Sequence, residues 1–296
     1  QALQRLLAGS GLEAVARAPG SYLLRVAAVA PLAQEQAMSV ITVVGNWLAH
    51  PDAQSVFEHG GARNVVGRDE IVRLGATDAR DVLNRIPGVL APTNNGTGSH
   101  DMALNFGVRG LNPRLAARST VLMDGIPVPF APYGQPQLSF APISMGNMDA
   151  VDVVRGGGAV RYGPQNVGGI VNFVTRAIPE KATGEASVQG EQSPSSSSDS
   201  IKTHTSVLLG GTLDNGLGGA ILYSGVRGSD WREHSATTID DVILKGRYRI
   251  DGASTLTAML QHYEGKADMP GGLTTAAFAR DPYQSTRPND KFWGRR

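Results

Sequence analysis

The feature that most constrains this chain is a two-residue alternation of side chains in its last third. Within the stretch Asp240–Ile250, apolar or small residues occupy the even positions from 242 onward, and mostly charged residues occupy the odd positions. Successive side chains of a β-strand point to opposite faces, so this stretch predicts a strand with one apolar face and one charged face. The even positions are Val242, Leu244, Gly246, Tyr248 and Ile250, and the odd positions are Asp241, Ile243, Lys245, Arg247 and Arg249.

Neighbouring stretches have the same strand-like character, and the connections between them differ in length. Strands are predicted at Glu185–Gln192, Thr203–Leu213, Gly219–Gly228, Asp240–Ile250 and Thr255–Gly265. Short turns at Asp214-Asn215-Gly216 and Asp251-Gly252 alternate with long polar loops at Ser193–Ile201, Ser229–Ile239 and Lys266–Arg296. Short turns at one rim and long loops at the other are typical of outer-membrane β-barrels. A soluble β-sandwich is the alternative, because the signal of each strand is weak and so few strands cannot close a barrel.

Composition limits the classes of function. The chain has no cysteine, which excludes disulfides and thiolate chemistry. Its 27 basic and 26 acidic side chains nearly cancel, so no general attraction to nucleic acid is indicated. No apolar run approaches the roughly 18 residues that would predict a transmembrane helix. The chain begins at Gln1 without a leader-like pattern, and we expect it to be an internal piece of a longer protein.

Residues 63–175 have a mixed α/β pattern. One helical turn is predicted at Arg68–Arg73, and a helix at Asp78–Arg85 with Thr77 as its N-cap and Ile86-Pro87-Gly88 as its end. The dipeptide Asp124-Gly125 predicts a tight turn. Short strands are predicted at Asn105–Val108, Thr120–Met123, Val151–Arg155 and Ile170–Val174.

The N-terminal part predicts a small hairpin followed by a linker. Leu12–Ala16 and Tyr22–Val26 alternate like two short strands around a Pro-Gly turn. The stretch Ala27–Met38 has little periodicity and predicts a linker. The β-branched run Val40–Val44 then has two interpretations, a segment that adds to the sheet edge of a partner or a strand of the preceding domain.

Long motifs in a fixed order resemble the TonB-dependent outer-membrane receptors. Val82–Val89 resembles the helix of that family's plug domain, Ser119–Val128 its central strand-turn-strand, and Asp149–Thr175 the end of the plug. The resemblance implies a complete barrel of about 22 strands around the plug. It also implies a division of this chain into the C-terminal remnant of a small α/β periplasmic signalling domain (1–27), a linker (28–59) with the TonB box at Ser39, Val40, Ile41, Thr42, Val43 and Val44, a mixed α/β plug domain (60–178), and about the first five strands of a transmembrane antiparallel β-barrel (179–296).

Other segments resemble the members of that family that import ferric citrate. They are Asn94–Asn105, Arg109–Arg114, Ile126–Gln137, Gly228–Ala236, Ala267–Leu273 and Phe292–Arg296. This resemblance implies ligand contacts at Thr97, Arg109 and Gln135. Citrate supplies the oxygen ligands of the iron, so neither a cofactor nor protein ligands to the metal are expected, whereas an arginine fork suits the carboxylates. The alternatives are a plug–barrel salt bridge for Arg109, loop hydrogen bonds for Thr97 and Gln135, and another anionic ferric chelate or siderophore as substrate.

The resemblance also implies partners. These are the TonB energy-coupling protein, an inner-membrane anti-sigma regulator that binds the N-terminal domain in the periplasm, and outer-membrane lipid around the barrel. A receptor that mainly signals is the alternative to one that mainly transports.

The glycine-rich segment Arg155–Gly163 has no phosphate-loop spacing, since the required Lys-Ser/Thr pair is missing. A structural role in the plug is therefore predicted for Arg155, Gly156, Arg161, Tyr162 and Gly163. We expect Arg155 and Arg161 to pair with carboxylates of the barrel wall. His100-Asp101 and the scattered serines form no catalytic triad, so no enzyme is expected.

Overall fold

The computed structural model of the chain describes residues 7, 12–18, 21–26, 56–57, 61–92, 102–116, 118–128, 140–156, 167–192, 200–252 and 254–296. The predicted TonB box at 39–44 lies outside these ranges, as do Thr97, Gln135, Arg161, Tyr162 and Gly163. The chain divides into two compact units, Gln1–Thr42 and Val43–Arg296, and each is described by itself.

The first unit contains the hairpin that the sequence predicts. Strand β1 (Leu12–Ala18) pairs antiparallel with β2 (Ser21–Val26), and Leu12 lies opposite Val26. The register shifts between Ala16 and Ala18, next to the turn.

The second unit begins with a five-stranded mixed sheet, whose strands are numbered here along the chain. In spatial order they are β3 (Ala62–Gly67), β8 (Met148–Arg155), β9 (Gly169–Thr175), β6 (Ser119–Met123) and β7 (Ile126–Pro127). Strand β6 runs parallel to β9, and the other neighbours are antiparallel. The predictions for β6, β8 and β9 are confirmed with slightly wider bounds, whereas the sequence analysis missed β3. Asp124 and Gly125 have φ values of 49° and 79° and form the predicted tight turn between β6 and β7.

Two short helices follow β3. Helix α1 (Arg68–Arg73) is confirmed, and α2 (Ala79–Leu83) is shorter than predicted. The predicted N-cap Thr77 is wrong, because Asp78 caps α2 and accepts a hydrogen bond from the Arg80 amide at 2.8 Å. Asp81 accepts in return from the Asp78 amide at 3.1 Å, and this reciprocal pair satisfies two amides that lack helical partners. A two-stranded ribbon of β4 (Val89–Leu90) and β5 (Gly107–Val108) comes next, so the strand predicted at 105–108 is real but half as long.

The core of this sheet–helix layer is apolar around one buried ion pair. Ile71, Val82 and Leu83 of the helices are at most 1% exposed, and they belong to one cluster with sheet residues such as Val151 and Phe173. Burial of such side chains contributes about 1.5–3 kcal/mol each, which is what holds the short helices in place. Between β3 and β8, the guanidinium of Arg63 donates to both carboxylate oxygens of Asp152 at 2.9 and 2.8 Å.

The rest of the chain forms a six-stranded antiparallel sheet, called the wall below. Its strands pair in chain order: β10 (Thr183–Gln192), β11 (Ile201–Thr212), β12 (Leu217–Ser229), β13 (Ala236–Arg249), β14 (Thr255–Asp268) and β15 (Lys291–Arg295). The five predicted strands are confirmed. The long loop predicted at 266–296 is wrong in part, because it contains helix α3 (Thr275–Arg280) and β15. Within the described residues the wall is an open sheet with β10 and β15 at its edges.

The two faces of the wall differ as the alternation predicts. On β13, Asp241 and Ile243 are fully buried against the α/β layer, whereas Leu244 and Tyr248 are 43% and 46% exposed on the opposite face. That outward face also presents Leu209, Ile221, Leu256 and Leu260 to the surroundings. An apolar outer face along strands of this length matches the lipid-facing band of a membrane barrel. No helix in the described ranges is long and apolar enough to cross a bilayer.

Candidate functional site

Arg109 lies on the tip of a compact turn that follows β5. Its φ is 54°, in the left-handed region that costs a non-glycine residue roughly 1–2 kcal/mol. Its amide donates to the Gly88 carbonyl at 2.7 Å, and Gly110 continues the turn with a φ of 78°. The side chain is exposed, and among the described residues no carboxylate forms an ion pair with it. Strained backbone is common at functional sites, so Arg109 stays a candidate binding residue, with the plug–barrel salt bridge as the alternative.

Arg155 and Gly156 support this turn from the neighbouring strand end. The Nη1 of Arg155 donates to the Pro87 carbonyl at 2.8 Å, one residue before the carbonyl that holds the Arg109 amide. Gly156 has a φ of 106°, which favours glycine, and a Cβ built on it would lie 2.8 Å from Nη1 of Arg109. The partner of Arg155 among the described residues is this backbone carbonyl, and its pairing with a wall carboxylate remains a prediction. The predicted structural role of both residues is consistent with this geometry.

The inward side chains of wall strand β13 form hydrogen bonds to the layer made of the five-stranded mixed sheet and its helices. The ammonium group of Lys245 donates to Thr175 Oγ1 at 2.6 Å and to the Arg176 carbonyl at 3.0 Å. Thr175 in turn donates through its amide to Asp124 Oδ1 at 2.8 Å, and Asp124 Oδ2 lies 3.8 Å from the ammonium. A lysine of the wall therefore ties together the ends of β9 and β6.

A second contact forms where the 3-10 turn Met145–Asn147 meets the wall. The side-chain amide of Asn147 donates to Asp241 Oδ2 at 3.1 Å, and Gln261 of β14 donates to Asp241 Oδ1 at 2.9 Å. Gly146 lies so close that a Cβ there would be 2.6 Å from Ser224 Oγ and 2.8 Å from Ser206 Cβ. Backbone and wall are thus in direct contact at this turn, which only small residues on both sides permit.

A third contact joins the wall to the connection that follows β9. Glu180 Oε1 accepts from Nη2 of Arg249 at 2.7 Å and from Nη2 of Arg247 at 3.0 Å. The hydrogen bond from Arg249 has the largest effect on the pKa of the Glu180 carboxyl, and that from Arg247 the next largest. Both hold this pKa below its usual value. Arg176 also pairs with Glu185 of β10. The charges of Arg247 and Arg249 at odd positions are visible in the sequence, but no partners were predicted for them, and the alternation is the signal that places them on the inward face.

The described ranges contain no group of three or more His, Cys, Asp and Glu side chains that could hold a metal ion. An anion held by guanidinium and neutral donors is the chemistry that the exposed Arg109 turn offers.

A mixed α/β domain bound to the inner face of an open antiparallel wall with an apolar outer face has the arrangement of a plug domain and part of an outer-membrane barrel. The family described as the TonB-dependent Receptor Plug Domain matches residues 55–170. Residues 55–170 are thus a plug domain of the TonB-dependent receptor type, the chain as a whole is similar to receptors of that family, and its location is the outer membrane, as predicted.

The resemblance extends to particular proteins. The crystal structure of the ferric citrate transporter FecA in the unliganded form is 66% identical to this chain, with a TM-score of 0.82, and the match covers 86% of this chain and 38% of that one. The siderophore receptor PirA from Acinetobacter baumannii, at 19% identity and a TM-score of 0.58 over 72% of this chain and 32% of its own, shares the fold. The vitamin B12 transporter BtuB of Vibrio vulnificus (strain CMCP6) is 27% identical over 61% of this chain and 28% of its own length. The chain thus spans less than two fifths of these relatives.

Proposed function

We propose that this chain is part of a receptor that imports ferric citrate across the outer membrane, with energy supplied through TonB. The observation that carries the proposal is the 66% identity with the ferric citrate transporter FecA over 86% of the chain. Identity with the vitamin B12 transporter is far lower, at 27%. Ferric citrate is therefore favoured over the other ligand classes of the family.

The geometry of Arg109 supports an anionic ligand. Its guanidinium is exposed and lies against Gly156, and its backbone is fixed in a strained conformation by the Gly88 carbonyl. The planar guanidinium can bind a carboxylate with two parallel hydrogen bonds, and the held backbone sets where the side chain begins. Thr97 and Gln135, as neutral donors, complete the proposed contacts on the plug. The iron keeps its citrate oxygens throughout, so no resident cofactor and no covalent chemistry are needed.

The proposal includes two protein partners. Ser39–Val44 would bind TonB as an added strand, because an extended apolar segment can complete the edge of a partner's sheet. The N-terminal unit, which contains the β1–β2 hairpin, would contact an inner-membrane anti-sigma regulator and signal the presence of ligand. Deletion of residues 1–27 in the full-length protein should abolish the transcriptional response and leave uptake intact. Loss of both would contradict two separable roles.

The direct test of the substrate is the affinity of the full-length protein for ferric citrate. We expect Arg109→Ala to weaken binding about ten- to hundredfold, since a hydrogen bond to a charged group contributes about 1.5–3 kcal/mol. Arg114→Ala is the matched control, because Arg114 is also an exposed arginine, five positions further on. Equal affinities for wild type and Arg109→Ala would remove Arg109 from the site. If the wild-type protein binds another anionic ferric chelate but not ferric citrate, the assignment of ferric citrate as the substrate is refuted.

A further inference from the structure

Two glycines on neighbouring strands leave a gap in the inward face of the wall. Gly265 of β14 and Gly294 of β15 are cross-strand partners, and both are buried. Neither has a positive φ, so a residue with a side chain could adopt either backbone conformation. What glycine supplies at these two positions is therefore space, and the pair is called the glycine notch below.

Two plug side chains fill the glycine notch. A Cβ built on Gly265 would overlap the sulfur of Met102, and one built on Gly294 would overlap the ring of Phe140. Met102 has no exposed surface, and the Phe140 ring meets the Tyr263 ring edge-on, with 5.5 Å between the ring centroids. The notch therefore holds one thioether and one aromatic ring, and a methyl group on either glycine would compete with them for the same space.

The surroundings of the glycine notch are apolar, unlike the other contacts between plug and wall. Those at Asp241, Lys245 and Glu180 are hydrogen bonds and ion pairs. Here one inward row of cross-strand partners leads to the notch, and two aromatic rings flank it. The row is Val226, Ile239, Gly265 and Gly294, and the rings are Tyr263 and Phe292. Burial of apolar surface is therefore what holds the plug at this point.

The two plug segments at the glycine notch are also bonded to each other. The amide of Ala141, next to Phe140, donates to the carbonyl of Met102 at 2.7 Å. Gln261 of β14 donates through its side chain to the carbonyl of Pro142 at 3.0 Å. Two segments that are distant in the sequence are thus fixed together at one point of the wall.

The proposed neutral ligand contacts lie shortly before these fixed points in the sequence. Thr97 precedes Met102 by five residues, and Gln135 precedes Phe140 by five residues. Five residues of extended chain span at most about 18 Å, so each of these contacts is tethered to the glycine notch within that distance.

Arg109 is attached to a different part of the plug. Its neighbour Val108 is buried in the main apolar cluster of the plug, and its own amide is bonded to the Gly88 carbonyl. A change at the glycine notch should therefore disturb Thr97 and Gln135 and leave Arg109 in place.

We propose that the glycine notch anchors the two plug segments that carry Thr97 and Gln135, and that Met102 and Phe140 are positioning residues for ferric citrate. This inference rests on the proposed function. A segment with a fixed end has fewer conformations to lose when it binds a ligand, so the anchor raises the affinity without touching the ligand. Loss of the anchor lowers the affinity while the plug stays seated in the wall.

The test breaks the anchor from each side in the full-length protein. Gly294→Ala places a methyl group where the Phe140 ring lies, and Phe140→Ala removes the ring. Gly246→Ala on β13 is the control, because a Cβ there meets nothing within 4 Å. The affinity for ferric citrate is measured for each variant. Hydrogen exchange of the Ala141 amide and of the β8 and β9 amides is measured without ligand.

Gly294→Ala and Phe140→Ala should each lower the affinity about tenfold. The double variant should bind no more weakly than the weaker single variant, because both changes break one contact. Exchange of the Ala141 amide should become faster in each, whereas β8, β9 and the Gly246→Ala control should match wild type. Unchanged affinity would overturn the positioning role. Faster exchange of β8 and β9 would also overturn it, because the loss would then come from a loosened plug.

A second set of variants separates positioning from general stability. Adding Gln135→Ala to Phe140→Ala should lower the affinity by less than the product of the two single effects, since the ring acts through the segment that carries Gln135. Adding Arg109→Ala to Phe140→Ala should give that product. Equal coupling to both, or wild-type affinity in Gln135→Ala, would overturn the positioning role. Failure of the wild-type protein to bind ferric citrate would instead refute the proposed function, while exchange of the Ala141 amide tests the anchor without any ligand.

Discussion

The side-chain amide of Asn147 donates to Asp241 Oδ2 at 3.1 Å, across the boundary between plug and wall, and neither residue has any exposed surface. The same amide lies 3.2 Å from the Asp241 carbonyl. A buried carboxylate is tolerated only when donors surround it, and here Asn147 and Ser144 of the plug and Gln261 of the next wall strand all donate to Asp241. The carboxylate therefore depends on the plug being seated.

Asn147→Ala should loosen the plug. It removes a donor from the buried Asp241 carboxylate, which costs about 1–3 kcal/mol and more if the group stays charged. Hydrogen exchange of the β8 and β9 amides in the detergent-solubilised full-length protein should become faster by the factor that corresponds to this free energy. Asn112→Ala, at an exposed position, serves as the control and should leave the exchange rates nearly unchanged. Equal rates in Asn147→Ala and wild type would show that the contact does not hold the plug.

Loss of one partner should cost more stability in the Arg63–Asp152 pair of the plug than in the Arg227–Asp240 pair of the wall. Both side chains of the plug pair are fully buried, whereas Arg227 and Asp240, joined by two bonds of 2.7 Å, are 50% and 40% exposed. Removal of one partner from a buried pair costs about 3–5 kcal/mol, and an exposed pair contributes about 0–1 kcal/mol.

Arg63→Met should therefore reduce the protection of the β3 and β8 amides far more than Arg227→Met reduces that of β12 and β13. The double variant Arg63→Met with Asp152→Leu should recover part of the loss, because it removes both charges of the pair. The protection of the backbone amides is measured by hydrogen exchange in both sheets for each of the three variants. Similar small losses in the two single variants would contradict the predicted dependence on burial.

The sequence predicted the wall better than the plug, for a physical reason. Alternation along β13 fixes which residues face inward, because it is a local property of the strand. It does not identify their partners, since Asn147 and Asp241 are 94 residues apart. Strand β3 was missed because its charged Arg63 is buried against Asp152, which is 89 residues away in the sequence.

The sequence predictions were wrong for the start of α2 and missed strand β15. Both Thr77 and Asp78 are suitable N-caps, but only Asp78 has an acidic residue three positions later, and the reciprocal bonds with Asp81 decide the start of α2. Strand β15 has five residues, two of them basic, and it is defined by pairing with β14 and not by its own pattern. Of the predicted ligand contacts, Arg109 is placed by the structure as an exposed cation, whereas those at Thr97 and Gln135 remain predictions.

Gly146→Val should separate the plug from the wall. A Cβ at this position meets Ser224 and Ser206 at 2.6 and 2.8 Å, so backbone must shift, at about 1–3 kcal/mol. Gly190→Val is the matched control, because a Cβ there meets nothing within 4 Å. Protease sensitivity of the plug should rise in the first variant alone, and Ser224→Gly should partly rescue it. Equal sensitivity of both glycine variants would argue against close contact at Gly146.

The Glu180 contact should respond to pH. Hydrogen bonds from Arg249 and then Arg247 lower the folded-state pKa of this carboxyl, so the charged form stabilises the seated plug. A carboxyl with a depressed pKa contributes above its unfolded value, roughly pH 4.3, and the contribution disappears as the pH falls through the folded value. Glu180→Gln should therefore speed exchange of the β9 amides at pH 7 and match wild type at the lowest pH.

Added salt should shrink the difference at pH 7, because Glu180 is 61% exposed and its bonds to the two arginines are screened. Asp214→Asn, in the exposed turn between β11 and β12, provides a control that removes one negative charge without touching either arginine. If the charge of Glu180 matters through these two bonds, Asp214→Asn stays at the wild-type rate at pH 7. A difference between Glu180→Gln and wild type that persists at the lowest pH would instead assign the effect to packing of the side chain.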